Sequence, residues 1–218
     1  GDRVIMYASW TGTRRNLRDL RLHGWRLLMS PDTLQRCKGK TAPLWDDGTP
    51  AQYALDNGAW GCYQRGERFD DAAFEWAYDR IGAGAEWVVA PDIVGAGLAS
   101  LDLTKHWLSR LAHPRVLIAL QDGMTPDDVA PLMRSGRGLF LGGTTEWKLR
   151  TLAQWGNYAR QVGCYYHAAR VNSARRIQAA QCGGAQSVDG TSATRFACTI
   201  PLLDGAARQR NLFNREVK

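Results

Sequence analysis

Short, continuously apolar runs alternate with amphipathic segments along this chain, and no other feature limits its fold as strongly. Eight runs read as strands: Val4–Ala8, Trp25–Met29, Gln52–Leu55, Trp87–Ala90, Val116–Ala119, Leu139–Leu141, Cys164–His167 and Gln186–Val188. Strands that are apolar at nearly every position, rather than at every second one, belong to parallel sheets covered on both faces. Helical patterns fall at Thr13–His23, Asp70–Ile81, Leu101–Leu111, Pro126–Arg134, Glu146–Gln161, Ser173–Cys182 and part of Pro201–Phe213. In the second of these, Phe74, Ala77, Tyr78 and Ile81 recur at i, i+3, i+4 and i+7. The alternation predicts an α/β fold: a compact (β/α)8 TIM-type barrel forming a single domain over residues 1–218, with an open doubly wound sheet as the alternative. Residues 30–50 hold three Pro and two Gly and read as a loop excursion, with a short helix near Thr33–Cys37. Neither a G-x-G-x-x-G after a strand nor a G-x-x-x-x-G-K-[ST] loop occurs, so nucleotide-cofactor folds lack their fingerprints.

Composition narrows the class. A chain of 218 residues, 44% apolar and 22% charged, can bury a large core, which excludes a disordered or low-complexity protein. No apolar run approaches the roughly 18 residues of a membrane span and no signal peptide opens the sequence, so no membrane association and a cytoplasmic location are expected. Gly1 in place of Met reads as a processing or expression remnant. Twenty-eight basic residues against 21 acidic ones leave +7, which favours a polyanionic partner, nucleic acid first. The five cysteines, Cys37, Cys62, Cys164, Cys182 and Cys198, are odd in number and form no CxxC. Neither a zinc ribbon nor a disulfide framework is expected, and no metal or organic cofactor.

In a TIM barrel the chemistry gathers at the C-terminal ends of the strands. Read outward, the third run leads into Asp56-Asn57-Gly58-Ala59-Trp60, the fourth into Pro91-Asp92 and the fifth into Gln121-Asp122-Gly123. The sixth leads into Gly142-Gly143-Thr144, the seventh ends in His167 and the eighth leads into Asp189-Gly190-Thr191. Each has a plainer reading alone: Asp-Asn-Gly is a turn signal, and an Asp after a strand is a common helix N-cap. Together, three carboxylates at one rim would repel one another unless a substrate or a function uses them, which marks this end as the candidate active site.

The order Asp-x-Gly-x-aromatic, Pro-Asp, Gln-x-Gly, Gly-Gly and Asp-x-x-x-x-Thr-Arg runs from about Leu55 to Arg195. It resembles the tRNA-guanine transglycosylase superfamily, most closely the 7-deazaguanine DNA transglycosylases of phages and bacterial DNA-modification islands. The resemblance implies a pentosyltransferase that exchanges a guanine in nucleic acid for a free 7-deazaguanine base such as preQ0, through a covalent glycosyl-enzyme. It assigns Asp189 as the nucleophile at C1′ and Asp56 as the group that protonates the departing guanine and deprotonates the incoming base. Such a pair needs separated pKa values. It assigns Asp92 to the N1–H and 2-amino edge of the base, Gln121 and the Gly142–Gly143 backbone to the O6 and N7 edge, and Trp60 to stacking. Trp60 as a core aromatic and Gln121 as a capping amide remain the plainer alternatives. His167 either faces the same site or is a satisfied structural histidine. Arg195 matches the family's phosphate-contacting Arg; Arg170, Arg175 and Arg176 either form a basic flank with it or lie on solvated helix faces. The basic helix Arg14–Arg21 is a second candidate for backbone contact.

The sequence departs from the family in three places. It lacks the CxCxxC-and-His zinc site of the tRNA enzymes, carries Gln121-Asp122-Gly123 where Gln-Gly-Gly is usual, and places Glu146 close behind Gly143 for the Glu that steadies a movable peptide. DNA is therefore the expected partner, with tRNA, or a small nucleoside or sugar, as alternatives, and a non-catalytic nucleic-acid-binding barrel as a further one. A homodimer or an accessory protein stays open.

Overall fold

A computed structural model describes residues 3–38, 42–190 and 197–209. Eight strands form it: β1 (Ile5–Ser9), β2 (Arg26–Met29), β3 (Tyr53–Leu55), β4 (Val88–Val89), β5 (Val116–Leu120), β6 (Arg137–Leu141), β7 (Tyr166–Ala168) and β8 (Ser187–Asp189). Each pairs in parallel with the next and β8 returns to β1, so the sheet is a closed barrel in sequence order. The (β/α)8 expectation holds and the open sheet is excluded.

Helices α1 (Arg14–Leu22), α2 (Pro31–Arg36), α3 (Ala59–Gln64), α4 (Asp71–Ile81), α5 (Ser100–Leu108), α6 (Pro126–Val129), α7 (Thr145–Val162), α8 (Ala174–Cys182) and α9 (Ile200–Arg208) wrap it. Their ends follow capping chemistry. Asp70 accepts the Ala73 N–H at 2.9 Å to open α4, and Gly163 stops α7 in the left-handed region at φ 68°. Helix α6 is shorter than its apolar pattern because Pro131 has no N–H to give and its ring crowds the preceding turn; the chain continues as a 3-10 turn over Ala130–Leu132. Among the described residues no helix is long and apolar enough to cross a membrane.

Alternation along the strands separates two apolar layers. Met6, Ala8, Leu27, Met29, Leu55 and Ile118 face outward against the helices, while Tyr7, Leu28, Ala54, Trp87, Val89, Leu117 and Ala119 fill the interior. Large and small side chains alternate in that interior. Trp87 and Tyr7, both fully buried, meet edge to face at 5.1 Å, and the methyl groups of Ala54 and Ala119 leave them room.

The outer layer has one point of very close approach. Gly156 in α7 lies against the backbone of Gly183, the residue after α8, and a Cβ at 156 would overlap the Gly183 carbonyl oxygen. Gly156→Ala is therefore expected to cost about 2–3 kcal/mol, read as a lower urea midpoint at unchanged m-value. Gly205 in α9 meets nothing within 4 Å, so Gly205→Ala is expected to be neutral or to gain up to about 1 kcal/mol. Equal effects at the two positions would contradict the packing.

Candidate active site

The three strand-end aspartates converge at the C-terminal end of the barrel, each held by different neighbours. Asp189 ends β8 and is buried. Its Oδ2 lies 2.8 Å from His167 Nε2, and its Oδ1 accepts the Arg170 N–H at 3.0 Å. Burial alone would push its carboxyl up; the His167 hydrogen bond and charge, the Arg170 amide and the Lys148 ammonium outweigh that and hold it below the usual carboxylate range. Asp189 is the ionised member.

Asp56, half-buried after β3, behaves oppositely. Burial is the largest cause and repulsion from Asp189 and Asp92 adds to it, and its carboxyl is pushed up to about 7. The Gly58 and Asn57 amides soften that shift without cancelling it. Asp92 is buried and also raised, by burial first, against the opposing hydrogen bonds of Asn57 and Gln121 and the nearby Arg170 charge. Asn57 Nδ2 donates to Asp92 Oδ1 at 2.7 Å, while its Oδ1 accepts the Ala59 N–H at 2.8 Å and so opens α3.

Several expected roles change in the structure. His167 does not face a base: it is fully buried, with Nε2 on Asp189 and Nδ1 2.7 Å from Ser187 Oγ. Phe140 stacks on its ring at 5.0 Å, and Trp87 lies 4.7 Å away. Both nitrogens are spent, so His167 orients the Asp189 carboxylate from below. Gln121 likewise spends both amide hydrogens inside the protein, on Asp92 and on the Ile93 carbonyl, and its Oε1 accepts the Gly95 N–H at 2.8 Å. It braces Asp92 and the loop after β4, which leaves it little to offer a base edge. Gly142 gives its N–H to Leu120 O at 3.0 Å in the β5–β6 ladder, whereas the Gly143 N–H, at φ 70°, has no acceptor among the described residues. Only Gly143 keeps the donor expected of the pair.

Arg170 is not part of a solvated flank. Its backbone sits in the left-handed region at φ 54°, its guanidinium donates to Gly143 O, and it lies over the Trp60 ring at 4.1 Å. Trp60 is not a core aromatic: it is 36% exposed at the rim and stacks on Tyr63 at 5.5 Å. On α8, Arg175 is exposed and Arg176 half-buried near enough to Lys148 to repel it. Glu146 is exposed and pairs with Arg150 at 3.6 Å, away from any peptide-steadying role. Arg195 lies outside the described residues.

Two groups escaped the sequence reading. Lys148 in α7 is buried, donates to the Ala169 carbonyl, and is pushed down to about 8 by burial and by Arg170 and Arg176, against the pull of Asp189 and Asp122. Its signal was the helical register: Lys148 shares the apolar stripe of Leu152, Trp155 and Ala159 at i+4, i+7 and i+11. Asp122 clamps the turn into α7, with Oδ1 on the Thr144 N–H at 2.7 Å and Oδ2 on the Thr144 hydroxyl at 2.6 Å. No group of three His, Cys, Asp or Glu among the described residues is placed to hold a metal ion.

No protein-family model matches this chain, and no curated protein matches it significantly in sequence.

The raised carboxyl has a measurable consequence for stability. The folded pKa of Asp56 lies above the unfolded value of about 3.9, so its contribution is complete below pH 4 and is lost as the pH rises through 7. Asp189, held low, contributes in the other sense: its share is present above the unfolded pKa and is lost in acid. Asp56→Asn cannot ionise, so it should gain on the wild type above pH 7 by on the order of 2 kcal/mol and gain little below pH 4. Urea denaturation of both proteins at pH 4 and pH 8 checks this; a pH-independent difference would mean that Asp56 titrates normally.

Proposed function

We propose that this protein is an enzyme, a base-exchange transglycosylase that replaces guanine in DNA with a 7-deazaguanine base of the preQ0 type. The observation that carries the reading is the placing of two carboxylates at one rim in opposite settings. Asp189 rests on His167 Nε2 at 2.8 Å and on the Arg170 N–H at 3.0 Å, which hold it low, while Asp56 has no cationic partner among the described residues and is raised to about 7. Nucleophile and general acid need that opposition. Asp189 attacks C1′ of the extruded nucleotide as the C1′–N9 bond breaks, giving an aspartyl-glycosyl ester, and the departing guanine takes the proton of Asp56. The incoming base returns a proton to Asp56, its N9 attacks C1′, and Asp189 leaves as a carboxylate. His167 and the Arg170 amide stabilise that carboxylate as nucleophile and as leaving group. One Asp189 oxygen rests on each, and every carboxylate oxygen has a second lone pair free for attack.

Base recognition falls to Asp92, facing the N1–H and 2-amino donors of guanine, and to the Gly143 N–H. Stacking on Trp60 requires Arg170 to leave the ring face it covers. Freed, that guanidinium can meet a phosphate of the extruded strand, alongside Arg176 and Arg175. The excess of basic residues suits a DNA partner.

The test is incorporation of radiolabelled guanine, and separately of labelled preQ0, into duplex DNA and into bulk tRNA, with wild type and Asp189→Ala side by side. Label is expected in DNA and should fall at least about 10⁴-fold in the variant, whose DNA affinity should change little. Label confined to tRNA would move the substrate class. Full activity in Asp189→Ala, or no label in either polymer, would overturn the proposal.

A further inference from the structure

We propose that the groove at the opposite, N-terminal end of the barrel, between Arg115, Arg137 and Arg160, is a binding site for a phosphate group. The groove has a volume of about 550 Å³ and is lined by residues that precede or begin β5 to β8 and by the end of α7. Among the described residues it is lined by three arginines and no carboxylate. The proposal concerns a face remote from the aspartates and does not depend on the reaction assigned to them.

Arg137 supplies the strongest argument. It is the first residue of β6 and is only 6% exposed, yet the one acceptor its guanidinium meets among the described residues is a neutral carbonyl, Leu108 O at 2.9 Å. The corresponding residue of β2 behaves differently. Arg26 also opens its strand but pairs with Glu86 at 2.6 Å. Arg21, Arg65 and Arg110 likewise have carboxylate partners within 3.0 Å. Among the described residues Arg137 has none, and neither do Arg115 and Arg160, so a buried guanidinium and two exposed ones share a cavity without counter-charge. Burying an unpaired charge is costly, and Arg134 nearby aggravates it; together they hold the Arg137 guanidinium below its usual pKa.

The other two arginines are placed to close on an anion. Arg115 Cζ lies over the Tyr165 ring, 4.7 Å from its centroid, a contact that consumes none of its donors. Arg160 comes from the last turn of α7 and donates to Asn157 Oδ1. Planar donors arriving from three elements suit the several oxygens of a tetrahedral phosphate better than a planar carboxylate. The phosphate can belong to a small phosphomonoester or to a nucleic-acid strand; the recognising chemistry is the same.

Isothermal titration with inorganic phosphate, against potassium chloride at matched ionic strength, tests the site. The comparison is between wild type and the Arg115→Ala/Arg160→Ala double variant, both positions being exposed, with circular dichroism confirming that the variant is folded. Submillimolar binding that weakens at least about tenfold in the double variant, and is retained in Asp189→Ala, is the expected result. Competition then names the source. Displacement by an oligodeoxynucleotide without terminal phosphates assigns the site to a strand, and displacement by a nucleoside monophosphate alone assigns it to a small phosphorylated compound. Equal phosphate affinity in wild type and double variant, loss of binding in Asp189→Ala, or no heat beyond the chloride control would each overturn the proposal.

Discussion

Closure of the barrel between β1 and β8 is the constraint from which the site follows. The final strand is only three residues long, and it docks with Ser187 opposite Ile5, Val188 opposite Met6 and Asp189 opposite Tyr7. That register places the Asp189 side chain at the end of the interior column, directly above the ring of His167. A slip of one residue would turn Asp189 outward into the apolar layer against the helices, where nothing could hold its charge. The position of Asp189 is thus set by strand pairing.

The interior column links packing to ionisation. Trp87, Tyr7 and Phe140 fill the space around His167, and that aromatic wall leaves its ring one orientation. The Tyr165 hydroxyl donates to Ser187 Oγ at 2.7 Å, and Ser187 can pass a proton donor on to His167 Nδ1, leaving Nε2–H for Asp189. Below, Tyr7 donates to Glu86 Oε2 at 2.8 Å and accepts from Trp87 Nε1 at 3.1 Å. A polar chain inside an apolar barrel survives only if every member is satisfied, and here each is. At the top of the chain one carboxylate stays charged, and its charge adds to the burial that already makes its neighbour Asp56 hard to ionise.

Much of this was legible in the sequence, for physical reasons that differ by element. Eight apolar runs gave the strands to within two residues, because a strand buried on both faces leaves no polar positions to confuse its ends. The three aspartates and the glycines were legible because the fold sends strand ends to one face. Helix α3 was not: Gly58 at φ 83° and the Asx cap of Asn57 look like a turn until the six residues after them coil. The partners of Gln121 and His167 were equally hidden, since a side chain's hydrogen bonds depend on which strands become neighbours. Ionisation is further removed still, being a property of Asp56, Asp92 and Asp189 taken together.

The guanidinium of Arg170 over Trp60 changes what an affinity can report. The site itself supplies a flat, cationic group to its aromatic platform, tethered by the Gly143 carbonyl and close to Asp92. A planar guest with amino and imino donors would be exchanged for an internal mimic of itself, so the stacking energy would enter the measured affinity only as a difference between two similar contacts. Weak equilibrium binding of such a guest is then compatible with a close fit, and selectivity would reside in the donors and acceptors that the two occupants do not share.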